Sequence, residues 1–169
     1  EYVSEYKYLG LTLHEKMSWK THIENITKKA TNTYMQCRSM LGSTWGLSPK
    51  ISRWTYTALI RPILAYGCLI WIKVIKTDSQ LKLLERVQRK ACVATLNAMQ
   101  SAPTAGLEII LNLEPIAIYL TNQALITYRR LKENGNWKVN PGESYTKLNH
   151  FNLITKIAEE IPAISMPTD

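Results

Sequence analysis

Four cations recur at helical intervals along one stretch of the sequence: Lys82, Arg86, Arg89 and Lys90. With about 3.6 residues per turn, they form one basic stripe on a helix. Such a stripe suits a phosphate backbone, because each neutralised phosphate releases counterions and makes binding sensitive to salt. A solvated helix face has the same composition, and Glu85 beside the stripe weakens its field. The residues alone therefore leave open a phosphate-contacting face and a solvated face.

Further candidate contacts to an anion lie on two other predicted helices: Lys20, Lys28, Lys50 and Arg53. On the first of these helices, which also carries Arg38, a solvated face is the favoured interpretation. Arg53 is expected at the exposed start of its helix. Arg61 has apolar neighbours, so we expect it to be partly buried and paired, and we interpret it as structural.

The sequence shows no constellation of catalytic or metal-ligating residues. Its only aspartates are Asp78 and Asp169, so the clustered acids of a two-metal site are missing. The adjacent Glu159 and Glu160 are expected in a helical or linker context, on different faces of any helix, and are interpreted as surface charge. Histidines and cysteines are scattered, without catalytic or zinc spacing: His14, His22, His150, Cys37, Cys68 and Cys92. We predict no catalytic residue, no metal ligand and no cofactor, and we interpret His22 as a surface or packing residue.

The composition argues against a disordered tail and favours an anionic partner. The chain has 169 residues, of which 46% are hydrophobic, enough for one domain with a core. Its 21 Lys+Arg residues against 13 Asp+Glu give a net charge of +8, which suits nucleic acid or an acidic membrane surface. An odd number of widely spaced cysteines predicts reduced thiols in an intracellular protein, in the nucleus or cytoplasm.

Two segments bear on membrane targeting. The first residues carry charges among aromatics, which does not resemble a signal peptide. The apolar residues 54–75 are interrupted by Arg61, Pro62 and Lys73, which are expensive in lipid. We predict a buried helix there and no membrane partner.

The elements that must position these residues are mainly helical. In residues 3–13 apolar and polar residues alternate, and β-branched and aromatic types are common, which predicts one β-strand that Gly10 interrupts. No second strand is predicted, so the sheet to which this strand belongs is expected to lie outside the chain. Helices are predicted to start at Ser18, at Ser48-Pro49, at Thr77 with a capping box to Gln80, and after Pro103 and Pro115. Gly42 should end the first, Pro62 should break the second near Ile60, and Asn134-Gly135 should close the last. The predicted fold is mainly α, a bundle of about five helices preceded by one N-terminal β-strand.

Seven aromatic residues could stack on bases as in single-strand binders, but their helical spacing favours core packing. They are Trp19, Trp45, Trp54, Trp71, Tyr34, Tyr56 and Tyr66. Trp45 is predicted in a loop between helices. Residues 136–169 are rich in proline and glycine, as in linkers, around one weak helical stretch at 151–160.

Six motifs then occur in a collinear series over about residues 3–125. They are YKYLGLTL at 6–13, WKTHI at 19–23, WGLSPK at 45–50, IRPILAYG at 60–67, LERVQRKA at 84–91 and APTAGLE at 102–108. The series resembles the end of the reverse transcriptase of a non-LTR retrotransposon, with the nearest likeness to insect Jockey-type elements. His14 stands where that family commonly has Asp, Gly106 where it has Ala, and Asn112 where it has Gly.

This resemblance implies a domain order and a function. Residues 1–16 would end the palm beside the primer grip, with the strand left over from the palm sheet; residues 17–135 would form the thumb and connection; residues 136–169 would lead to a missing ribonuclease H domain. The aromatic-Ala-Asp-Asp signature, which in this family binds Mg²⁺, is absent. The chain is therefore expected to be a severed, non-catalytic piece of an RNA-directed DNA polymerase that helps to hold template-primer nucleic acid and contacts the palm and ribonuclease H domains. The alternatives are a structural or protein-interaction helical module, and a decayed fragment without function.

Overall fold

The computed structural model of this chain describes residues 3–39 and 48–135. The elements follow in the order β1 (Glu5–Tyr8), β2 (Leu11–His14), α1 (Lys20–Ser39), α2 (Pro49–Thr55), a π-helical turn (Tyr56–Ile60), α3 (Arg61–Ala65), α4 (Cys68–Trp71), a 3-10 turn (Ile72–Lys76), α5 (Asp78–Leu96), α6 (Thr104–Ile110) and α7 (Ile116–Glu133). The mainly α fold class is confirmed. Gly42, Trp45 and the weak helical stretch at 151–160 lie outside the described residues.

The predicted single strand is wrong, because residues 5–14 form a β-hairpin. β1 and β2 pair antiparallel, with Tyr8 opposite Leu11. Leu9 and Gly10 form the two-residue turn with φ of 46° and 85°, the left-handed backbone that tight hairpin turns require. Gly10 therefore marks a turn, and β1 obtains its ladder hydrogen bonds from β2 inside the chain.

The hairpin is held against the helices by polar contacts from both sides. The Thr12 amide donates to Nδ1 of His22 at 3.2 Å, and the Thr21 hydroxyl donates to the Glu5 carboxylate at 2.8 Å. The Tyr66 hydroxyl donates to the Leu9 carbonyl at 2.8 Å. These bonds make the hairpin part of the same packed unit as the helices.

Helix α5 is central, and it packs against α1, α2, α6 and α7. The spacing of apolar residues predicts Leu81, Leu84, Ala91 and Cys92 on one face; Leu84, Ala91 and Cys92 are buried there together with Val87, and Leu81 is partly buried against the core. Helix α1 buries Ile23, Ile26, Ala30 and Tyr34 against it, and the Tyr34 hydroxyl donates to the Ala91 carbonyl. The core therefore forms around α5, which fixes the orientation of its opposite, basic face.

The predicted helix starts are largely confirmed. The Ser48 hydroxyl accepts from the Ile51 amide and Pro49 opens α2, while α6 and α7 follow Pro103 and Pro115. Helix α5 starts after Thr77 as predicted, but the capping box is wrong, because the Thr77 side chain makes no capping bond. The backbone carbonyl of Thr77 instead accepts hydrogen bonds from the Gln80 and Leu81 amides.

Pro62 changes the hydrogen bonding of its helix locally, but the largest bend of this segment lies elsewhere, at Gly67. The π-helical turn directly before Arg61-Pro62 accommodates the missing proline amide, and the helix continues to Ala65. The larger break, of 55°, separates Pro49–Ala65 from Cys68–Lys76, where Gly67 has φ of 62°. Among the described residues, no single helix is long and apolar enough to cross a membrane. The two bent segments taken together have the length and composition of a membrane span.

Asn112 and His14 each have a local structural role. Asn112 has φ of 47°, in the left-handed region that Gly adopts freely and Asn tolerates best among the other residues. Nδ1 of His14 accepts from the Lys16 amide at 3.1 Å, the turn-capping bond that an Asp side chain also makes.

Candidate nucleic-acid interface

The basic stripe of α5 divides into two kinds of cation. Lys82, Arg86 and Lys90 are exposed, and each lies one helical turn from the next. Four residues of α-helix rise about 6 Å, so the three charges form a row along the helix axis. None of the three makes a hydrogen bond or ion pair with another described residue. Their charges are therefore open to an external anion.

Arg89, the fourth predicted member, is half-buried and bonded inside the chain. Its guanidinium donates to the carbonyls of Ala102 at 2.8 Å and Gln100 at 2.6 Å, and to the Thr104 hydroxyl. These acceptors belong to the loop between α5 and α6 and to the first turn of α6. Arg89 thus ties that loop to α5, a use that spacing along the helix could not indicate.

Two clefts flank this row of cations. The first, of about 470 Å³, lies between α1 and α5, and its charged lining residues are Arg38, Arg86, Arg89 and Lys90; among the described residues, no carboxylate lines it. The second, of about 380 Å³, includes Lys82 and Arg86 but also Glu85 and Glu108. We name the first the α1–α5 cleft. It concentrates positive charge without a compensating acid, which attracts anions more strongly than isolated surface cations do.

The other predicted contacts stand apart from the α1–α5 cleft. Lys20, Lys28 and Lys50 are exposed but do not line it. The expected exposure of Arg53 is wrong. Its side chain is half-buried, and it donates to the carbonyls of Leu111 and Asn112 just after α6. Unpaired carbonyls at a helix end accept well from a guanidinium, so packing of α2 against this segment places Arg53 there.

Arg61 is buried and bonded, as predicted. It donates to Oε1 of Gln88 at 3.1 Å and to the Glu114 carbonyl, and it lies 3.7 Å from the Glu114 carboxylate. Its guanidinium also sits 4.6 Å from the centre of the Tyr119 ring. Burial raises the pKa of the nearby Tyr56 hydroxyl, which donates to Gln88 at 2.8 Å. This polar cluster joins α3, α5 and the start of α7 and leaves Arg61 no free face for a ligand.

His22 is a packing residue. It is buried between the Trp19 and Trp71 rings, with ring centroids 5.9 Å and 6.1 Å away, and burial lowers its pKa below the usual 6.5. Its Nδ1 accepts from the Thr12 amide, so the neutral imidazole carries its proton on Nε2. Within the described ranges, no group of three His, Cys, Asp or Glu side chains could hold a metal ion.

Of the seven aromatic side chains considered for base stacking, those that the structure describes pack inside as expected, with two exceptions. Trp71, Tyr34 and Tyr56 are buried, whereas Trp54 is 63% exposed and Tyr66 is 54% exposed. For these two the core prediction is wrong. Trp54 lies on the outer face of α2, and Tyr66 lies over the hairpin turn, where its hydroxyl finds a carbonyl.

Arg38 occupies a position that the sequence does not predict. A solvated face is the favoured interpretation of its helix, yet Arg38 lines the α1–α5 cleft from α1, while Arg86 and Lys90 line it from α5. No spacing within a single helix could show this. The available signal was weak, namely that Arg38 is a cation in the last turn of α1.

In comparison with known proteins, the chain is similar to proteins of transposable elements. The chain is 26% identical over 115 residues to the putative 115 kDa protein in the type-1 retrotransposable element R1DM of Drosophila melanogaster, which covers 68% of this chain and 11% of the relative. It is 25% identical over 126 residues to the Pol polyprotein of the type-1 retrotransposable element R1 of Bradysia coprophila, covering 75% and 12%. It is 29% identical over 68 residues to the probable RNA-directed DNA polymerase from transposon BS of Drosophila melanogaster, covering 40% and 8%.

No family model matches the chain, and no solved structure matches it. The resemblance to non-LTR retrotransposon proteins seen in the motifs is confirmed by these relatives. The chain spans about a tenth of the length of the first two. The homologues of this chain are thus the Pol polyproteins of R1 non-LTR retrotransposons and the RNA-directed DNA polymerase of transposon BS.

Proposed function

We propose that the chain is a non-catalytic part of a retrotransposon reverse transcriptase and helps to hold its template-primer nucleic acid. The observation that carries this proposal is the α1–α5 cleft, which presents Arg38, Arg86 and Lys90 and has no acid among those lining residues that the structure describes. The net charge of +8 and the names of the relatives support an anionic, nucleic-acid partner. The missing Asp-Asp pair supports the absence of polymerase chemistry in the chain itself.

The domain order implied by the resemblance belongs to the same proposal. Residues 1–16 end the palm, residues 17–135 act as thumb and connection, and residues 136–169 lead to a ribonuclease H domain. The hydrogen bonds from Thr21 to Glu5 and from Tyr66 to Leu9 connect the hairpin of the first proposed unit to helices of the second. In this arrangement the palm supplies Mg²⁺ and chemistry, and α5 supplies sequence-independent phosphate contacts.

The test is binding of the full chain to a primed RNA template across a salt series. If α5 neutralises about three phosphates and Arg38 one more, the logarithm of affinity falls with the logarithm of salt with a slope of about −3 to −4. Replacing Lys82, Arg86 and Lys90 together with glutamine should leave a slope of about −1, the share of the phosphate bound by Arg38.

A matched control removes the same charge elsewhere, by replacing Lys76, Arg130 and Lys132, which are exposed and lie outside both clefts. This control should keep the salt slope of the unmodified chain. Negligible affinity of the unmodified chain at every salt concentration contradicts the proposal, and so does an equal effect of the two triple variants.

A second candidate is a helical module that docks to other domains of the same polyprotein. It is favoured by exposed apolar side chains, notably Trp54 at 63%, Ile110 at 70% and Ile109 at 79%. Docking through these residues would be insensitive to salt. Association with a separately produced palm domain, abolished by Trp54→Ser and unaffected by the α5 triple variant, would support this candidate.

A further inference from the structure

We propose that the α1–α5 cleft receives a single-stranded stretch of nucleic acid, with phosphates on its rim and a sugar and base on its floor. This inference rests on the proposed function and names the form of nucleic acid that the cleft takes. It depends on how polar and apolar residues are distributed over the cleft.

The rim and the floor of the cleft differ in chemistry. Arg38, Arg86 and Lys90 are exposed and stand on the rim, with Arg38 on α1 facing the other two on α5. The floor is apolar, since the deeper lining residues are the buried Val93 and the half-buried Ala94 and Ala98. Met35, from α1, contributes an exposed thioether at the edge.

An apolar floor beneath cationic walls fits a single strand better than a duplex. A duplex keeps its base faces stacked inside and presents a convex, phosphate-lined surface, so it would touch only the rim and leave the floor to water. In a single strand the bases are unstacked and free to lie on apolar side chains while the backbone follows the cations. A volume of about 470 Å³ is in the range of pockets for small organic ligands and is adequate for one nucleotide.

The spacing of the cations agrees with a strand that passes along the cleft. Arg86 and Lys90 are one helical turn apart, about 6 Å along the axis, which is of the order of the separation between successive phosphates in a strand. Arg38 approaches from the opposite wall. One phosphate can therefore bridge the two helices while the next continues along α5.

Arg89 acts here as a positioning residue. Its guanidinium is committed to the carbonyls of Gln100 and Ala102, and Gln100 also lines the cleft. Arg89 thereby holds the loop that closes one end of the cleft. Its replacement should weaken binding by loosening that wall, without removing a phosphate contact.

The experiment compares a short labelled RNA strand with an RNA–DNA duplex of equal length, both bound to the full chain across a salt series. The single strand should bind more tightly. Arg38→Gln should make the salt slope for the single strand less negative by about 0.7, the share of one phosphate. Arg89→Gln should weaken affinity while leaving that slope unchanged. Lys132→Gln, at the exposed end of α7, is the matched control and should change nothing.

The floor is tested separately with Ala94→Leu, which fills it without altering charge. We expect about a tenfold loss of single-strand affinity, of the order of one base contact, with duplex affinity unchanged. Because a larger floor residue can perturb packing, thermal unfolding of this variant is measured in parallel. Met35→Glu, at an exposed edge position, gives an independent reduction of single-strand affinity by placing an acid beside the cations.

Failure of this inference is distinct from failure of the proposed function. If the chain binds neither single strand nor duplex, the proposed function fails. If it binds the duplex at least as tightly as the single strand, or if Arg38→Gln and Met35→Glu leave single-strand binding unchanged, the single-strand assignment fails and the duplex-holding role stands.

Discussion

The buried Arg61 offers a quantitative test of what holds the helical core together. Its guanidinium contacts Gln88, the Glu114 carbonyl and carboxylate, and the Tyr119 ring, so it looks like a charged anchor. We expect Arg61→Ala to lower the free energy of unfolding by about 3 kcal/mol, but Arg61→Met to change it by less than about 1 kcal/mol. The difference follows from what each variant leaves behind.

The acceptors bonded by Arg61 have other donors. Gln88 Oε1 also accepts from the Tyr56 hydroxyl at 2.8 Å, and the Glu114 carbonyl also accepts from Gln88 Nε2 at 3.1 Å. The Glu114 carboxylate is 39% exposed, so water can solvate it when its partner is removed. Removing the arginine therefore leaves these groups satisfied and avoids most of the cost of an unpaired buried polar atom.

The arginine itself is imperfectly satisfied. Its Nε is buried and has no hydrogen-bond partner in the described part of the chain, and burial of the charge costs several kcal/mol before any pairing. Methionine fills a similar volume against the Tyr56 and Tyr119 rings without that cost. Alanine leaves a cavity there, and large-to-small replacements in a core cost about 2–5 kcal/mol.

Urea unfolding of the full chain, followed by far-ultraviolet circular dichroism, measures both variants. With a slope of about 1–3 kcal/mol per M, Arg61→Ala should lower the midpoint by about 1–3 M. Arg130→Met, on the exposed side of α7, is the control and should shift it little. If Arg61→Met destabilises as much as Arg61→Ala, the charged hydrogen bonds and not the filled volume hold this part of the core, and the reasoning is refuted.

Three other outcomes follow from the packing. Gly67→Ala should lower the free energy of unfolding by about 1–2 kcal/mol, because φ is 62° and a Cβ would lie 3.0 Å from a leucine side chain of β2; an unchanged thermal midpoint contradicts this. His22 has a lowered pKa, so below its usual value of 6.5 the unfolded chain binds a proton that the folded chain does not; stability is complete above that pH and falls as the pH drops. His22→Phe should reduce this loss in urea titrations at neutral and mildly acidic pH, whereas an identical pH dependence would exclude His22 as its source. Burial raises the pKa of Cys68 and Cys92 to about 11, so iodoacetamide should modify the half-buried Cys37 first, as mass spectrometry of the native chain can verify; equal labelling of all three would count against the packing described.

The helices were predictable because their signals are local. Apolar spacing places Leu84, Ala91 and Cys92 on one face of α5, and Ser48-Pro49 begins α2 through bonds within four residues. The hairpin is not predicted, because the alternation in residues 3–13 indicates one strand that Gly10 interrupts. A two-residue turn needs left-handed backbone at both positions, and Leu9 in such a position is an uncommon signal that composition does not suggest.

The α1–α5 cleft could be predicted only in part. The row of cations on α5 follows from residue spacing within one helix. The sequence therefore predicts that these cations lie on the face opposite the core. Arg38 joins it from a helix that lies more than forty positions earlier, and only the packing of α1 on α5 brings the two together. A cleft between two helices depends on how they pack against each other, so the sequence of neither helix predicts it.

The sequence by itself determined the helical class, the basic face of α5 and the resemblance to retrotransposon reverse transcriptases, since each depends on residue types at fixed spacing. Only the tertiary structure decided which arginines are available to a ligand. Arg53, Arg61 and Arg89 each donate to backbone carbonyls more than ten residues away, whereas Arg86 keeps its charge exposed. The physical reason is that a guanidinium satisfies whichever unpaired carbonyls the docking of helices places beside it, and those carbonyls have no signature in side-chain composition.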